Sequence, residues 1–165
     1  MIIGGIDPGS RVTGYGFLEV RGNRYRCIDF GVIRAGTSKQ PLSHRLTMIY
    51  TGLTSLMDTH RPSAVAVEGV FHAVNAQSAL KLGQARGVAL LAAAQCGAQI
   101  AEYSALEIKK AVAGYGRADK IQVQTMVGTL LNMADPPRPH DAADALAVAL
   151  CHAFRRPPVP HIQQR

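Results

Sequence analysis

The opening of the chain alternates short apolar runs with glycine-containing turns. MIIGGI, TGYGFLEV and RYRCIDFGVI each have the composition of a strand, and RGN suits a short hairpin turn between the second and the third. We therefore predict three antiparallel strands within the first 33 residues. SAVAVEGVF is almost wholly apolar, which predicts a central strand covered on both faces, and GAQIAEY predicts a fifth strand.

Apolar residues at helical spacing fill most of the remaining sequence. The clearest stripe recurs at intervals of three and four: Leu42, Leu46, Ile49, Leu53 and Leu56. Further helices are predicted over residues 76–96, around SALEIKKAVA, from 120 to about 132, and from about 141 to 154. Asp119 and Gln122 have the spacing of a capping box in front of the helix that begins at 120.

Together these elements predict an α/β fold. Its mixed five-stranded sheet has three antiparallel strands followed by parallel strands, and helices cover both faces. The length suits one domain, which we place at residues 1–154. The tail RRPPVPHIQQR has no apolar periodicity, so residues 155–165 are expected to be disordered.

Composition and the cysteine spacing indicate the cellular compartment and exclude some kinds of site. The N-terminus lacks the features of a signal peptide, and no uncharged apolar run reaches the roughly 18 residues of a membrane span. We expect a soluble, cytoplasmic protein with no membrane partner. Cys27, Cys96 and Cys151 are widely spaced and form no CxxC motif, so neither a disulfide framework nor a zinc site is predicted.

The charge balance indicates what kind of partner the protein binds. Lysine and arginine number 18 against 11 aspartates and glutamates, which gives a formal net charge of +7. An excess of this size favours a polyanionic partner over a neutral small molecule, and nucleic acid is the leading class.

Four acidic residues occupy positions that solubility alone does not explain. Asp7 follows the first predicted strand and Glu68 comes near the end of the fourth, so both emerge at one end of the sheet if these strands are neighbours. Asp141 and Asp144 share one face of a predicted helix. Converging carboxylates repel each other unless cations neutralise them, and hard oxygen ligands favour Mg²⁺ or Mn²⁺. Two such ions about 4 Å apart can clamp a phosphodiester, so its hydrolysis is the predicted chemistry.

Each of these acids also has a purely structural explanation. Asp7 lies in DPGS, whose residues form turns, and the surrounding glycines also suit a phosphate-binding loop. Asp141 and Asp144 could cap a helix or interact with its dipole. Glu68 could pair with a basic residue at the sheet end, and His140 either helps to activate water or simply starts the last helix.

Four segments carry a resemblance to a known family: GIDPGSRVTGYG, VEGVFHAVNAQSALKLGQARGVAL, KKAVAGYGRADKIQVQTMV and HDAADALAVAL. In this order and at these separations they are similar to the RuvC family of bacterial Holliday-junction resolvases, within the retroviral-integrase and ribonuclease H superfamily. The resemblance covers about residues 1–154. It implies a ribonuclease H-like fold and a homodimeric, Mg²⁺-dependent endonuclease that makes paired nicks in opposing strands of a four-way DNA junction during recombination and repair.

The resemblance further implies roles for individual residues. The family's catalytic, metal-binding acids are matched by Asp7, Glu68, Asp141 and Asp144, which would hold two Mg²⁺ ions or, alternatively, Mn²⁺. Lys109 and Lys120 match DNA-contacting lysines, and Phe71 matches an aromatic residue that stacks on bases near the crossover. Lys110 and Arg117 are further DNA-binding candidates. The RuvA-RuvB branch-migration complex is an implied partner.

Dimerisation is also expected from the symmetry of the substrate. A four-way junction is approximately two-fold symmetric, and an isologous dimer presents two identical sites about the same axis. The Ala- and Gly-rich helix over residues 76–96 is the candidate interface, and ordinary packing of this helix on the sheet is the alternative.

Three other functions compete with this prediction. An ATP-binding module of the actin type also places an acid and glycines in an opening hairpin, although it needs a longer chain and leaves the basic charge unexplained. A catalytically inactive junction-binding protein would not need all four acids. The third is a related nuclease that acts on ribosomal RNA precursors. The phenylalanine and the lysine pattern favour DNA junctions over this alternative.

Overall fold

The computed structural model describes residues 1–69 and 75–156. Its elements follow in chain order: β1 (Ile2–Asp7), β2 (Val12–Arg21), β3 (Arg24–Arg34), α1 (Leu42–His60), β4 (Ala64–Gly69), α2 (Ala76–Gln95), β5 (Gln99–Ser104), α3 (Ala105–Ala113), α4 (Lys120–Leu130) and α5 (His140–Arg155). These are the strands and helices that the sequence predicts, although the predicted fourth strand runs on to residue 71, beyond the described residues. A helix both long and apolar enough to span a membrane is absent from the described parts of the chain.

One boundary of the predicted tail is wrong. Arg155 is the last residue of α5 rather than the first of a disordered segment. Its guanidinium donates a hydrogen bond of 2.7 Å to Glu107 of α3, and this contact holds the end of the helix on the domain. Residues 157–165 of the predicted tail lie outside the described residues.

The five strands form one mixed sheet in the order β3-β2-β1-β4-β5. β1 pairs with β2 and β2 with β3 in antiparallel fashion, whereas β1 pairs with β4 and β4 with β5 in parallel fashion. The predicted fold class is therefore confirmed. Because β1 and β4 are neighbours, whatever follows their carboxyl ends emerges at the same edge of the sheet.

Helices cover both faces of this sheet, each over its own apolar core. One core joins the sheet to α3, α4 and α5, and the other joins it to α1 and α2. Alternate residues of β4 divide between them, since Ala66 belongs to the first core while Val65 and Val67 belong to the second. By this alternation Glu68 faces the α5 side.

α5 is the helix around which the first core is built. Ten of its residues are buried, and it contacts both β1 and β2. Two strand glycines permit this close approach. A methyl group on Gly5 would overlap the carbonyl oxygen of Ala145, and one on Gly14 would overlap the carbonyl oxygen of Asp141. The glycines of the opening motif thus form the surface on which α5 rests.

The close approach of α5 to β1 can be tested with two neighbouring glycines. Gly5→Ala should destabilise the protein by about 1–3 kcal/mol or more, because the new methyl meets helix backbone that cannot rotate away. Gly4→Ala should cost less, since its methyl would lie 3.0 Å from a ring carbon of Phe17, a side chain that can shift. Thermal unfolding of both variants would measure this, with roughly 2–4 °C lost per kcal/mol at this size. Equal losses of the unfolding midpoint in the two variants would contradict the explanation that the backbone of α5 leaves no room for a side chain at position 5.

Candidate active site

The first two acids lie side by side at the ends of the central strands. Ile6 of β1 is aligned with Val67 of β4, so Asp7 and Glu68 occupy the next level of this parallel pair. Both continue the sets of alternate residues that face α5, which include Gly5 and Ala66. Neighbouring strands are about 4.8 Å apart, and the two carboxyl groups are therefore close.

The other two acids are brought over the same strand ends by the first turns of α5. Asp141 stands above Gly14, and Gly14 is the β2 residue aligned with Asp7. Asp144 follows one turn later with its side chain 21% exposed. The N-cap residue of α5 is Pro139, which makes no side-chain capping bond, so capping explains neither aspartate. Asp141 does lie in the first turn, where the helix dipole favours a negative charge.

Three of the four acids and two lysines surround a cavity of about 280 Å³, and Asp141 is not part of its lining. Its lining consists of Asp7, Glu68, Ala105, Ile108, Lys109, Lys120, Val123 and Asp144. Lys120 reaches across it, and its Nζ lies 3.4 Å from Oδ2 of Asp144. The capping box of Asp119 and Gln122 is present as predicted, and it fixes Lys120 as the first residue of α4. The cavity therefore joins side chains from β1, β4, α3, α4 and α5.

Burial and mutual repulsion determine the protonation of the acids. Burial raises the pKa of Asp7 well above its usual value, and the carboxylates of Glu68, Asp144 and Asp141 raise it further. Burial also raises the pKa of Glu68 and of Asp144, against the opposing effect of Lys120. The carboxylate of Asp144 raises the pKa of Lys120 in turn. The site holds more negative charge than its lysines neutralise.

The donor set suits a hard divalent cation in kind and in charge. Carboxylate oxygens are the ligands that Mg²⁺ and Mn²⁺ prefer, and a cation would relieve the repulsion that raises the pKa of Asp7. Among residues 1–69 and 75–156, however, no three His, Cys, Asp or Glu side chains are grouped tightly enough to form a ready-made metal centre. Mg²⁺ is commonly bound by one or two carboxylates and keeps several waters, so the neighbouring pair Asp7 and Glu68 suits it without a third protein ligand.

The remaining predicted site residues fall into three groups. Lys110 and Arg117 are exposed, at the end of α3 and in the loop that follows it, and neither belongs to the cavity lining. His140 is exposed at the start of α5, where its charge lowers the pKa of Asp144. Phe71 and its neighbour His72 lie outside the described residues.

Sequence reasoning missed Arg45, a residue that supports the turn after Asp7. Arg45 is 4% exposed, and its Nη1 donates a 2.7 Å hydrogen bond to the carbonyl oxygen of Ser10. The hydroxyl of Thr13 donates to the carbonyl oxygen of Gly9 from the other side of the turn. A signal was present, because Arg45 precedes Ile49 by four residues and so lies on the buried face of α1.

Fold and site together define a class, the nucleases of ribonuclease H-like fold, in which acids gather at the ends of the central strands. A family model described as "Crossover junction endodeoxyribonuclease RuvC" matches residues 2–152. The chain belongs to this RuvC family.

Individual relatives agree with this assignment. The crossover junction endodeoxyribonuclease RuvC of Citrifermentans bemidjiense is 54% identical over 153 residues, which cover 93% of this chain and 92% of that protein. A structure of Thermus thermophilus RuvC in complex with a Holliday junction substrate is 37% identical, covers 93% of each chain and superimposes with a TM-score of 0.87. The yeast mitochondrial Holliday junction resolvase shares the fold at 14% identity and a TM-score of 0.65, over 90% of this chain and 76% of its own.

The burial of Asp7 predicts an unusual effect on stability. In the metal-free protein, Asp7→Asn should raise the thermal unfolding midpoint at neutral pH by about 2–4 °C, equivalent to about 1 kcal/mol. The pKa of Asp7 is higher in the folded than in the unfolded state, so ionisation lowers stability as pH rises towards the folded-state value. The benefit of Asn should therefore disappear in acid, where Asp7 is protonated in both states.

Thermal scans in chelator between pH 4 and pH 8 would measure this dependence. The exposed residue Asp135 provides the matched control, and Asp135→Asn should not reproduce the pH-dependent gain. A lower midpoint for Asp7→Asn at neutral pH would contradict the prediction.

Proposed function

We propose that this protein resolves four-way DNA junctions by metal-dependent hydrolysis of phosphodiester bonds, with Asp7, Glu68, Asp141 and Asp144 as the catalytic acids. One observation carries the assignment of three of these residues: Asp7, Glu68 and Asp144 come from distant parts of the chain and line one cavity that also contains lysines. Asp141 is assigned with them because its carboxylate raises the pKa of Asp7. Membership of the RuvC family supports the reaction, and the T. thermophilus relative bound to a Holliday junction supports the substrate.

The acids are proposed to bind the metal and to position the scissile phosphate. Two Mg²⁺ ions, or Mn²⁺ in their place, would supply activation of the attacking water and neutralisation of the leaving oxygen. Asp7 and Glu68 offer oxygens from the rigid sheet, while Asp141 and Asp144 offer theirs from α5. The raised pKa of Asp7 and Glu68 means that protons compete with the metal for these sites.

Lys109 and Lys120 are proposed to hold the phosphate that is being cut. Both line the cavity with the acids, so a phosphate placed there would exchange the Lys120–Asp144 interaction for a charge-assisted hydrogen bond. Positive charge at this point stabilises the negative charge that develops in the transition state. Lys110 and Arg117 are both exposed and would contact phosphates further along the strand.

Phe71 is proposed to stack on an unpaired base at the crossover. It follows the end of β4 by two residues, and Glu68 lies one residue before that end. Stacking on an aromatic ring is worth about 1–3 kcal/mol per base. This proposal depends on the family resemblance and on the position of Phe71 in the sequence.

α2 is proposed as the interface of a homodimer that makes the paired nicks. Its small residues Ala85, Ala89, Ala92 and Ala93 are buried against the sheet. Its outer side instead presents the exposed residues Leu80 and Leu91. Between these, Gly83 and Gly87 each leave room for a side chain among the described residues. Mid-helix glycine costs up to about 1 kcal/mol relative to alanine, and close helix–helix contact in a dimer would offset that cost.

The protein partner and the cellular location are proposed from membership of the RuvC family alone. A junction resolvase acts on DNA that a branch-migration machine has moved, so the RuvA-RuvB complex is the proposed protein partner and the cytoplasm the proposed location. The ATP-binding alternative is not favoured, because α5 covers Gly5 and Gly14 and these glycines cannot form a phosphate-binding loop.

The proposed function predicts selective, metal-dependent cleavage. The protein should nick a mobile four-way junction in opposing strands with Mg²⁺, cut linear duplex of the same sequence far less, and cut neither in chelator. Asp7→Asn should bind the junction in chelator like the parent. It should cleave at least about a thousandfold more slowly with Mg²⁺, because metal stabilisation of the transition state is worth several kcal/mol.

Gel-shift binding in chelator and single-turnover cleavage on labelled strands would provide these measurements. Asp135→Asn, which lies outside the cavity, should match the parent in both. Cleavage by Asp7→Asn at the parental rate would show that the metal-site assignment is wrong, and equal cleavage of junction and duplex would exclude a resolvase.

The dimer proposal predicts that a charge on the outer side of α2 changes the oligomeric state of the protein. Leu91→Glu on the outer side of α2 should shift the protein from dimer to monomer and replace paired nicks by single ones, since a charge would be buried at the interface. Met48→Glu, at an exposed residue of α1, is the matched control and should leave the dimer intact. Sedimentation velocity would measure both. A dimer that survives Leu91→Glu would place the interface elsewhere.

A further inference from the structure

The loop between α3 and α4 carries an exposed aromatic side chain that no step of the proposed reaction uses, and both of these helices contribute residues to the lining of the acidic cavity. We define the Tyr115 loop as residues 114–119, with the sequence GYGRAD. Tyr115 is 48% exposed in it. Lys109 precedes the loop and Lys120 follows it directly, and both of these lysines line the cavity.

The loop is held in place at both of its ends. Gly114 caps α3 and donates a 3.1 Å backbone hydrogen bond to Lys110. At the other end Ala118 is completely buried, and Asp119 begins α4 with its capping box. A loop anchored in this way presents Tyr115 at a defined position.

The middle of the loop also packs against α3. A methyl group on Gly116 would overlap the side chain of Leu106 and would lie 3.5 Å from Cε of Lys110. This contact brings the loop against the helix face that carries Lys110. Tyr115 directly precedes Gly116, so its exposed ring belongs to a loop that packs beside Lys110.

The charges around Tyr115 favour a polyanionic partner. Four cations belong to the loop or to the adjoining helices: Lys109, Lys110, Arg117 and Lys120. The two acids of the same region are engaged in helix caps, where the Glu107 carboxylate accepts from the backbone N–H and hydroxyl of Ser104, and the Asp119 carboxylate accepts from the backbone N–H of Gln122. An exposed ring among cations has the composition of a surface that binds unstacked nucleotides, in which the ring contacts a base and the cations contact phosphates.

We propose that Tyr115 stacks on a nucleobase of the strand that enters the acidic cavity between Lys109 and Lys120. This inference rests on the proposed function, because it assumes that the cavity receives a DNA strand. It adds a second aromatic contact, separate in the chain from Phe71, and it makes the Tyr115 loop part of the recognition surface. The flat ring is the essential feature, and the hydroxyl is not.

Three substitutions in the full-length protein separate the ring from its bulk and its hydroxyl. Tyr115→Phe keeps the ring, Tyr115→Leu keeps an apolar side chain without a ring, and Tyr115→Ala removes both. Ile28→Ala is the matched control, because it removes an exposed apolar side chain from β3, the edge strand on the far side of the sheet. Because Tyr115 is half exposed, all three variants should retain the parental unfolding midpoint, which thermal scans would verify.

Binding is measured in chelator, so that cleavage plays no part, on junctions that carry 2-aminopurine at successive positions around the crossover. We expect one position at which parent and Tyr115→Phe give the same change in emission, while Tyr115→Leu and Tyr115→Ala lose it. Tyr115→Ala should also bind the junction about tenfold more weakly. Ile28→Ala should match the parent throughout.

Two results would overturn the inference. If Tyr115→Leu retains the parental emission and affinity, the contact is apolar packing and not stacking. Parental behaviour of all three variants would exclude any contact with DNA. Both results leave the proposed function intact, whereas a parent protein that fails to prefer four-way junctions over duplex would overturn that function itself.

Discussion

The close contact between α5 and the first two strands is the constraint on which the rest of the structure depends. Gly5 and Gly14 leave the strand surface bare, and the backbone of α5 occupies the space that side chains would fill. This contact fixes the distance of α5 from the sheet and its rotation about its own axis. It therefore fixes the position of Asp141 and Asp144 relative to Asp7. A slightly larger residue under α5 would lift both aspartates away from the strand ends. Packing and chemistry are set here by the same two residues.

The site acquires its chemistry at the expense of local stability. Asp7, Glu68 and Asp144 are held close together in a partly buried cavity, where burial raises the pKa of each. Lys109 and Lys120 oppose this repulsion at the cavity, and His140 does so at Asp144. The surrounding structure is well packed and hydrogen-bonded. α5 is buried along most of its length, and Arg45 and Thr13 donate hydrogen bonds to the turn after Asp7. Strong packing outside the cavity supports unfavourable electrostatics within it.

Local patterns in the sequence predicted most of the fold and part of the site. Strand alternation and the buried composition of β4 predicted Asp7 and Glu68 at one end of the sheet on the condition that their strands are neighbours, and the structure shows that β1 pairs with β4. Asp141 and Asp144 were ambiguous, because a capping role and a role in the site leave the same local pattern, and only the position of α5 over Gly14 separates them. Arg45 was missed because its partner Ser10 is 35 residues away, and periodicity carries no information about such contacts. The glycines were assigned to turns or phosphate binding for the same reason.

The distribution of the acids along the chain has a consequence for how the site is assembled. Asp7 comes first along the chain, Glu68 follows in β4, and Asp141 and Asp144 belong to the last helix described. Without α5 the sheet would carry two of these four acids, and Gly5 and Gly14 would be uncovered. The packing of a single helix on two strand glycines is therefore the step that brings the second pair of acids to the first.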